Sequence, residues 1–219
     1  MMRSRTVLLL TLALAAVPAF GQTEISKVNG GIEAEAGQTY GDLDTVNGSI
    51  RIRDGAIVED ASTVNGSITV DNKAQTASLA TVNGSIRLGS DVTVDGDIET
   101  VNGSIFVDRG GSVRGDVETV NGSIGLVATR LGGGIETVRG DITVGVDSQV
   151  KGGIAVKKST GISFEKKRDP RIVIGPNAVV EGPLVFERPV KLYVHRSASI
   201  GPVTGATAQI FDSATAPKD

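Results

Sequence analysis

The hexapeptide Thr-Val-Asn-Gly-Ser-Ile occupies residues 45–50, 63–68, 81–86, 100–105 and 119–124 of this 219-residue chain. Degenerate copies, Lys-Val-Asn-Gly-Gly-Ile and Thr-Val-Arg-Gly-Asp-Ile, occupy 27–32 and 137–142. Their valines recur at steps of 18 or 19 residues. A period this short and regular indicates one supersecondary unit stacked on itself. Because the unit is rich in Val, Ile and Thr and punctuated by Asn-Gly, it predicts strands and turns rather than helices.

A related module, Val94-x-Gly96-x-Ile98, lies seven residues before Val101-x-Gly103-x-Ile105, and similar pairs follow further along the chain. Each repeat therefore predicts two or three short strands joined by corners, which bury their apolar face only against the repeats above and below. The expected fold class is all-β: a single-stranded parallel β-helix, or β-solenoid, right-handed, with 18–19-residue coils. Strands of successive coils would pair in parallel about 4.8 Å apart.

Alternation of side chains along an extended hexapeptide predicts which of them face the core. In the copy at 100–107, the expected inward residues are Val101, Gly103, Ile105 and Val107. The expected outward residues are Thr100, Asn102, Ser104 and Phe106. The stacked valines and the stacked isoleucines would each form a core column, and the stacked asparagines would form an amide ladder outside.

The glycine of each Asn-Gly pair has two explanations. It supplies a positive φ at a corner, or it faces inward and lets the backbone come close to the axis. Alanine at Gly84 would be destabilising under both.

The first residues have the features of an export signal. Arg3 and Arg5 precede the mostly apolar stretch 7–17, which is too short to span a bilayer as a helix. Ala19 and Gly21 fit a cleavage site that gives a mature start at residue 22, with cleavage after Ala19 or an uncleaved anchor as alternatives. No second apolar run exists, so no transmembrane segment is expected in the mature chain. We expect an exported, periplasmic or extracellular protein.

Composition excludes several classes of function. The chain has no cysteine, which rules out disulfides and lipid attachment at an N-terminal cysteine. Loss of residues 1–21 would leave 20 basic and 25 acidic residues, a net charge of −5, which argues against nucleic acid and anionic lipid as partners. Aromatic residues are only 3% of the chain, which favours a narrow core of small branched side chains.

The regular pattern extends through residues 22–156. The segment 157–171 is charged and is expected to be a loop or a coil break. Residues 172–212 contain a different, six-residue apolar rhythm and larger rings, which predicts irregular coils or a cap, and 213–219 are expected to be a disordered tail.

The V-x-G-x-I modules at 46–50, 64–68, 94–98 and 120–124 resemble those of the bactofilin-like, polymer-forming β-helix proteins and of related putative-adhesin β-strand-repeat families. The resemblance covers roughly residues 27–156. It implies a right-handed β-helix that forms polymers, with no nucleotide and no catalytic site. The export signal departs from the cytoplasmic bactofilins and makes an envelope or extracellular role the expected one.

The outward polar residues of the repeat are the candidate surface-binding face. Flat, regular arrays of this kind would suit an ordered partner such as a cell-wall polysaccharide, another carbohydrate surface or ice. Its members are Thr45, Asn47, Ser49, Thr63, Asn65, Ser67, Thr81, Asn83, Ser85, Thr100, Asn102, Ser104, Thr119, Asn121 and Ser123. A strand face satisfied by its own hydrogen-bond ladders is the competing interpretation.

Acidic residues form a further column, Glu99, Glu118 and Glu136, beside Asp97 and Asp116. Stacked carboxylates repel unless water, a cation or a base intervenes, and Arg114 or Arg139 could serve as the base. A calcium site is the less favoured alternative, because the dense acidic-glycine loops of calcium-binding β-rolls are lacking. The alternative for the aspartates, including Asp42 and Asp141, is to cap corners.

His195 is the only histidine, and the hexapeptide rhythm around it is similar to that of acyltransferases with a histidine base. The rhythm is short, so a surface or cap position is favoured over catalysis. No catalytic residues, cofactor or metal ligands are assigned. We expect a non-catalytic structural or adhesive β-solenoid that self-associates through its ends or edges. A carbohydrate- or ice-surface binder and an acyltransferase or polysaccharide-acting enzyme are the alternatives.

Overall fold

The computed structural model describes residues 23–158 and 168–217. Within these ranges every regular element is a β-strand, and parallel strands stack in about ten coils of roughly 18 residues. The predicted all-β solenoid is therefore confirmed, whereas its right-handedness stays a prediction. The segment 1–21 and most of the charged segment 157–171 lie outside the described residues.

The smaller of two sheets has ten strands, one from each coil. With strands numbered in chain order, it contains β2 (Ile32–Ala34), β4 (Ile50–Ile52), β6 (Ile68–Val70), β8 (Ile86–Leu88), β11 (Ile105–Val107), β14 (Ile124–Leu126), β17 (Ile142–Val144), β20 (Arg171–Ile174), β23 (Lys191–His195) and β26 (Ala208–Phe211).

The larger sheet has sixteen described strands. They are β1 (Thr23–Asn29), β3 (Thr39–Asn47), β5 (Ile57–Asn65), β7 (Gln75–Asn83), β9 (Thr93–Val94), β10 (Ile98–Asn102), β12 (Ser112–Val113), β13 (Val117–Asn121), β15 (Arg130–Leu131), β16 (Ile135–Thr137), β18 (Gln149–Val150), β19 (Ile154–Val156), β21 (Val179–Val180), β22 (Leu184–Phe186), β24 (Ser199–Ile200) and β25 (Val203–Thr204).

The larger sheet forks along the rod. Strands β3, β5 and β7 are nine residues long, but from Thr93 onward two short strands take the place of each long one. The first such bend is Asp95-Gly96-Asp97, and Asp97 Oδ1 accepts a hydrogen bond from the backbone N–H of Asp116 in the next coil (2.7 Å). Each coil therefore contributes two described strands at first and three from Thr93 onward, in agreement with the two or three strands per coil that the sequence predicted.

The isoleucine column of the hexapeptide lies in the core, as predicted. From Ile32 to Ile142 its members pair in register, coil upon coil, and none is more than 3% exposed. The core is a stack of Ile, Val, Leu and Ala, and among the described residues its one fully enclosed large ring is Phe186 near the C-terminal end, while Tyr40 packs against it partly buried near the N-terminal end.

The valine and threonine columns are the reverse of the sequence prediction. The valines expected inside lie outside, from 39% exposed at Val101 to 67% at Val28, with Val138 half-buried. The threonines expected outside are buried, and Thr100 is only 4% exposed. The Thr–Val order of the repeat therefore presents an aliphatic stripe to the solvent and a hydroxyl to the interior.

The error has a simple geometric cause. Between the inward residues Val94 and Ile98 the corner takes three residues, so alternation survives it. Between the inward residues Thr100 and Ile105 the corner takes four, because strand β10 ends at Asn102 and the chain turns before β11. The extra residue shifts the inside–outside pattern by one position, and Val101 moves to the surface.

The glycines of the Asn-Gly pairs are required by close approach and not by a positive φ. A Cβ added to Gly84 would lie 1.8 Å from the backbone oxygen of Gly66 in the preceding coil, and Gly48, Gly66, Gly103 and Gly122 face their predecessors in the same way. The positive φ values lie mainly at a different corner, in the stacked column of Gly37, Gly55, Lys73, Asp91, Gly110, Ala128, Asp147 and Asn177. A Cβ added at Gly37 or Gly55 would meet open space, so this second column also accommodates residues with side chains, such as Lys73 and Asp91.

The C-terminal strands extend the same two sheets. Ile142 pairs with Ile172, Ile172 with Leu192 and Leu192 with Ala208. The inner column is therefore the same on both sides of residues 159–167, which the structure does not describe. The sequence separations between these paired residues are 30, 20 and 16, whereas the hexapeptide copies are 18 or 19 residues apart. Residues 213–217, expected to belong to a disordered tail, make defined contacts: Ala216 packs on the cluster of Val173, Tyr193 and Phe211, and the Pro217 carbonyl accepts from Arg171.

We expect Gly84→Ala to lower the free energy of unfolding by about 3 kcal/mol or more, because the methyl group would overlap the backbone of the neighbouring coil. Gly125→Ala is the matched control, since its Cβ would meet only the Phe106 ring at 3.3 Å. Chemical denaturation of both variants checks this. Equal destabilisation would contradict the close-approach explanation.

Candidate functional site

The structure breaks up the predicted Thr/Asn/Ser face. All of its threonines (Thr45, Thr63, Thr81, Thr100 and Thr119) are buried, and each Oγ1 donates to the backbone oxygen of the corner glycine in the preceding coil, at 2.9–3.1 Å. These threonines therefore hold corners together and are not available to a surface ligand. The sequence contained a signal for this: the same column becomes Val156 and then Phe186 in the later coils.

The asparagines and serines of the predicted face do lie near the surface, and both form ladders. Asn65 Nδ2 donates to Asn47 Oδ1 at 2.9 Å, and the ladder runs in this way from Asn29 to Asn121, which confirms the predicted amide ladder. The backbone N–H of each serine from Ser67 onward donates to the hydroxyl of the serine below it at 3.2 Å. Much of the hydrogen-bonding capacity of these side chains is thus used within the rod.

An open groove takes the place of the predicted flat face. It runs along the rod beside the buried threonines and has a volume of about 440 Å³. One wall is the exposed valine column. The other wall is the column of residues that precede the threonines: Ser62, Ala80, Glu99, Glu118 and Glu136. The groove is lined by Val64, Val82, Val101, Val120 and Val138, and the exposed column continues beyond it to Val46 and Val28. We call the whole column, Val28, Val46, Val64, Val82, Val101, Val120 and Val138, the valine stripe.

The groove changes in charge along its length. Toward the N-terminus the wall opposite the valine stripe is uncharged at Ser62 and Ala80. Toward the C-terminus it becomes a stack of glutamates, because Glu99 pairs with Glu118 and Glu118 with Glu136. Only one half of the groove therefore repels anions.

Burial raises the pKa of Glu118, and the adjacent charges of Glu136 and Glu99 raise it further. Arg114, one of the two arginines predicted as partners, lies elsewhere, with its guanidinium 2.9 Å from Asp95. The repulsion between the stacked carboxylates is reduced at one end of the column, where Lys157 Nζ is 3.5 Å from Glu136 Oε2.

The aspartates beside the glutamate stack cap corners, as one interpretation of the sequence had it. Asp42 and Asp97 accept hydrogen bonds from the backbone N–H of the stacked residue in the next coil, and Asp116 accepts from that of Gly134, at 2.6–3.2 Å. Asp141 accepts from the Arg171 backbone and is gripped by the Arg168 guanidinium. In the described parts of the chain, no group of three or more His, Asp or Glu side chains has a geometry that could hold a metal ion.

His195 lies at a corner near the C-terminal end. Its Nδ1 is 2.8 Å from Ser197 Oγ and accepts the Ser197 backbone N–H, and its ring meets Phe211 edge-on at 5.1 Å between centroids. The Ser197 hydroxyl in turn accepts the backbone N–H of Asn177. These contacts tie the turn to its neighbouring coils.

No protein-family model, curated protein or solved structure matches this chain. Within residues 23–158 and 168–217, no helix is long and apolar enough to cross a membrane.

We expect Thr100→Val to lower the free energy of unfolding by about 1 kcal/mol, because the buried bond to the Gly84 oxygen is lost while the shape is kept. Thr143→Val, at an exposed position of β17, is the control and should leave stability nearly unchanged. Thermal unfolding compares the two. A destabilisation no larger than that of the control would show that the bond from Thr100 to the Gly84 oxygen makes no net contribution to stability.

We expect Glu118→Gln to stabilise the protein at neutral pH. The raised pKa means that the folded state disfavours the carboxylate, so removing the charge removes a penalty. As the pH falls, wild-type Glu118 takes up a proton in the folded state and the advantage shrinks. Below the ordinary pKa of 4.5 the advantage should be gone, because the unfolded chain is then protonated as well.

Denaturation midpoints of the two proteins between pH 4 and pH 8 test this. Glu181→Gln, an exposed change on another face, controls for the loss of one negative charge from the whole chain. If the stability gained by Glu118→Gln increased as the pH fell, the pKa of Glu118 in the folded state would be lowered and not raised, and the prediction would be wrong.

Proposed function

We propose that this protein is a non-catalytic structural rod, exported from a bacterial cell, that associates with other copies of itself through the C-terminal end of the solenoid. The proposal rests on the last coil, where the apolar core is open to solvent. Ile210 is 63% exposed, whereas Val194 and Ile174, which precede it in the same column, are 3% and 0% exposed. An apolar column that ends in solvent favours association.

The backbone at this end supports the same proposal. Strands β24, β25 and β26 each pair with one described strand only, so the outer edge of each is free to bond a further strand. Next to this edge Ile200, Val203 and Ala206 are only partly buried. A second molecule would supply both the missing hydrogen bonds and the missing apolar cover.

The predicted export signal fits an envelope location, and the resemblance to polymer-forming β-helix proteins fits assembly. A stiff rod needs no catalytic group to serve such a role. Adhesion would follow from the same assembly, because a polymer presents each weak contact many times over.

We expect the purified protein to form elongated oligomers at micromolar concentration and Ile210→Lys to remove the end-to-end contact, since a charge would have to be buried in it. Ile57→Lys is the matched control, because Ile57 is also exposed (43%) but lies on the side of the rod. Sedimentation velocity and electron microscopy measure the length of the assemblies. Assemblies of unchanged length in the Ile210 variant would refute the proposal.

A further inference from the structure

The valine stripe is an aliphatic surface that the core does not use. Between Val46 and Val120 its members are 39–40% exposed, and Val28 at the first coil is 67% exposed. Single exposed valines are ordinary in soluble proteins, but an unbroken column of seven is not. The column repeats at the spacing of paired strands, about 4.8 Å. Another copy of this chain carries a column of the same period and can interdigitate with it over many coils.

We propose that two copies of this chain pair side by side through the N-terminal half of the valine stripe, with their axes antiparallel and the two-fold axis at Val64. This inference rests on the proposed function and names a second contact in the same assembly. In such a pair each column faces itself in reverse order. Val64 then meets its own symmetry mate, Val46 meets Val82 of the partner subunit, and Val28 meets Val101 of the partner subunit.

Charge selects this register. With the axis at Val64, Asp44 faces Ala80 of the partner subunit, and Glu99 faces the first coil of the partner subunit, where Ser26 lies. Lys27 is adjacent to Ser26 and occupies the position that threonine fills in later coils. Its exposed ammonium group donates to the Gly31 carbonyl, and in the proposed pair the long side chain exchanges this bond for one to the incoming Glu99. The symmetry gives two such pairs, one at each end of a contact about 19 Å long.

Other arrangements of the same surfaces are less favourable. Moving the axis to Val82 sets Glu118 against Asp44 of the partner subunit, and like charges in an interface oppose association. Placing the two rods parallel sets the glutamate column against the valine column of the partner subunit, which would desolvate Glu99, Glu118 and Glu136 against aliphatic groups. The register at Val64 leaves Glu118 and Glu136 outside the contact. The one carboxylate that it sets against an aliphatic group is Asp44, which keeps its hydrogen bond from the Ser62 hydroxyl.

The first test places a charge at the two-fold axis. Val64→Asp would bring two carboxylates together, and we expect the dissociation constant of the lateral dimer to rise about tenfold or more. Ile57→Asp is the matched control: it lies on the same strand β5 with similar exposure (43% against 40%) but outside the valine stripe. Sedimentation equilibrium measures both. An equal effect of the two substitutions would overturn the inference.

The second test is a charge swap between copies. Lys27→Glu and Glu99→Lys should each weaken the dimer, and the double variant should recover most of the lost affinity. Recovery within one chain is ruled out, because four coils, about 19 Å, separate the two residues. Lys27→Glu with Glu118→Lys is the control and should not recover. Absence of recovery in the swap, or equal recovery in the control, would overturn the register.

Both tests are best made in the Ile210→Lys background, where end contacts are removed and a discrete dimer is expected. A monomer in that background, together with long assemblies of the wild type, would overturn the lateral contact and leave the proposed function intact. A dimer that forms equally in the wild type and in Ile210→Lys, and is lost in Val64→Asp, would overturn the end contact and leave the lateral one. A wild type that stays monomeric would overturn both.

Discussion

Successive coils meet backbone to backbone at the glycine column, and the rest of the structure depends on this contact. A side chain as small as a methyl group would overlap the carbonyl of the coil below, so the corner fixes how closely two coils stack. With the corner fixed, the residues on either side of it can only lie above their equivalents. The threonine bond inside the corner and the asparagine ladder outside it then lock the same register from both sides.

The repeat in the sequence was enough to predict the coil, the parallel pairing, the isoleucine column and the amide ladder. These follow from the period alone, because equal residues at equal spacing must stack. The orientation of Thr100 and Val101 did not follow, because it depends on the number of residues that the corner consumes. Composition gave no help, since both threonine and valine suit a strand. The appearance of Val156 and Phe186 in the threonine column was the one sequence signal of its burial.

The candidate site changed for the same reason. A shift of one position replaced a flat hydroxyl-rich face by a groove with an aliphatic wall, and it turned seven predicted core valines into surface. The glutamate column was placed correctly, yet its meaning depends on what lies across from it. Beside the exposed valines it divides the groove into a neutral half and an acidic half. If the valines lay inside, as the sequence predicted, there would be no groove to divide.

The two proposed contacts have different consequences for assembly. An antiparallel lateral pair is isologous, so each copy uses its surface once and growth stops at two. The end of the rod carries a separate surface, centred on Ile210 and far from Val64 along the axis, so both contacts can form on one molecule. Lateral pairing alone would give a closed dimer, and end contacts alone would join single rods. Together they would join paired rods, in which each weak contact is reinforced by its neighbours, and Glu118 and Glu136 of each groove would remain outside the pairing.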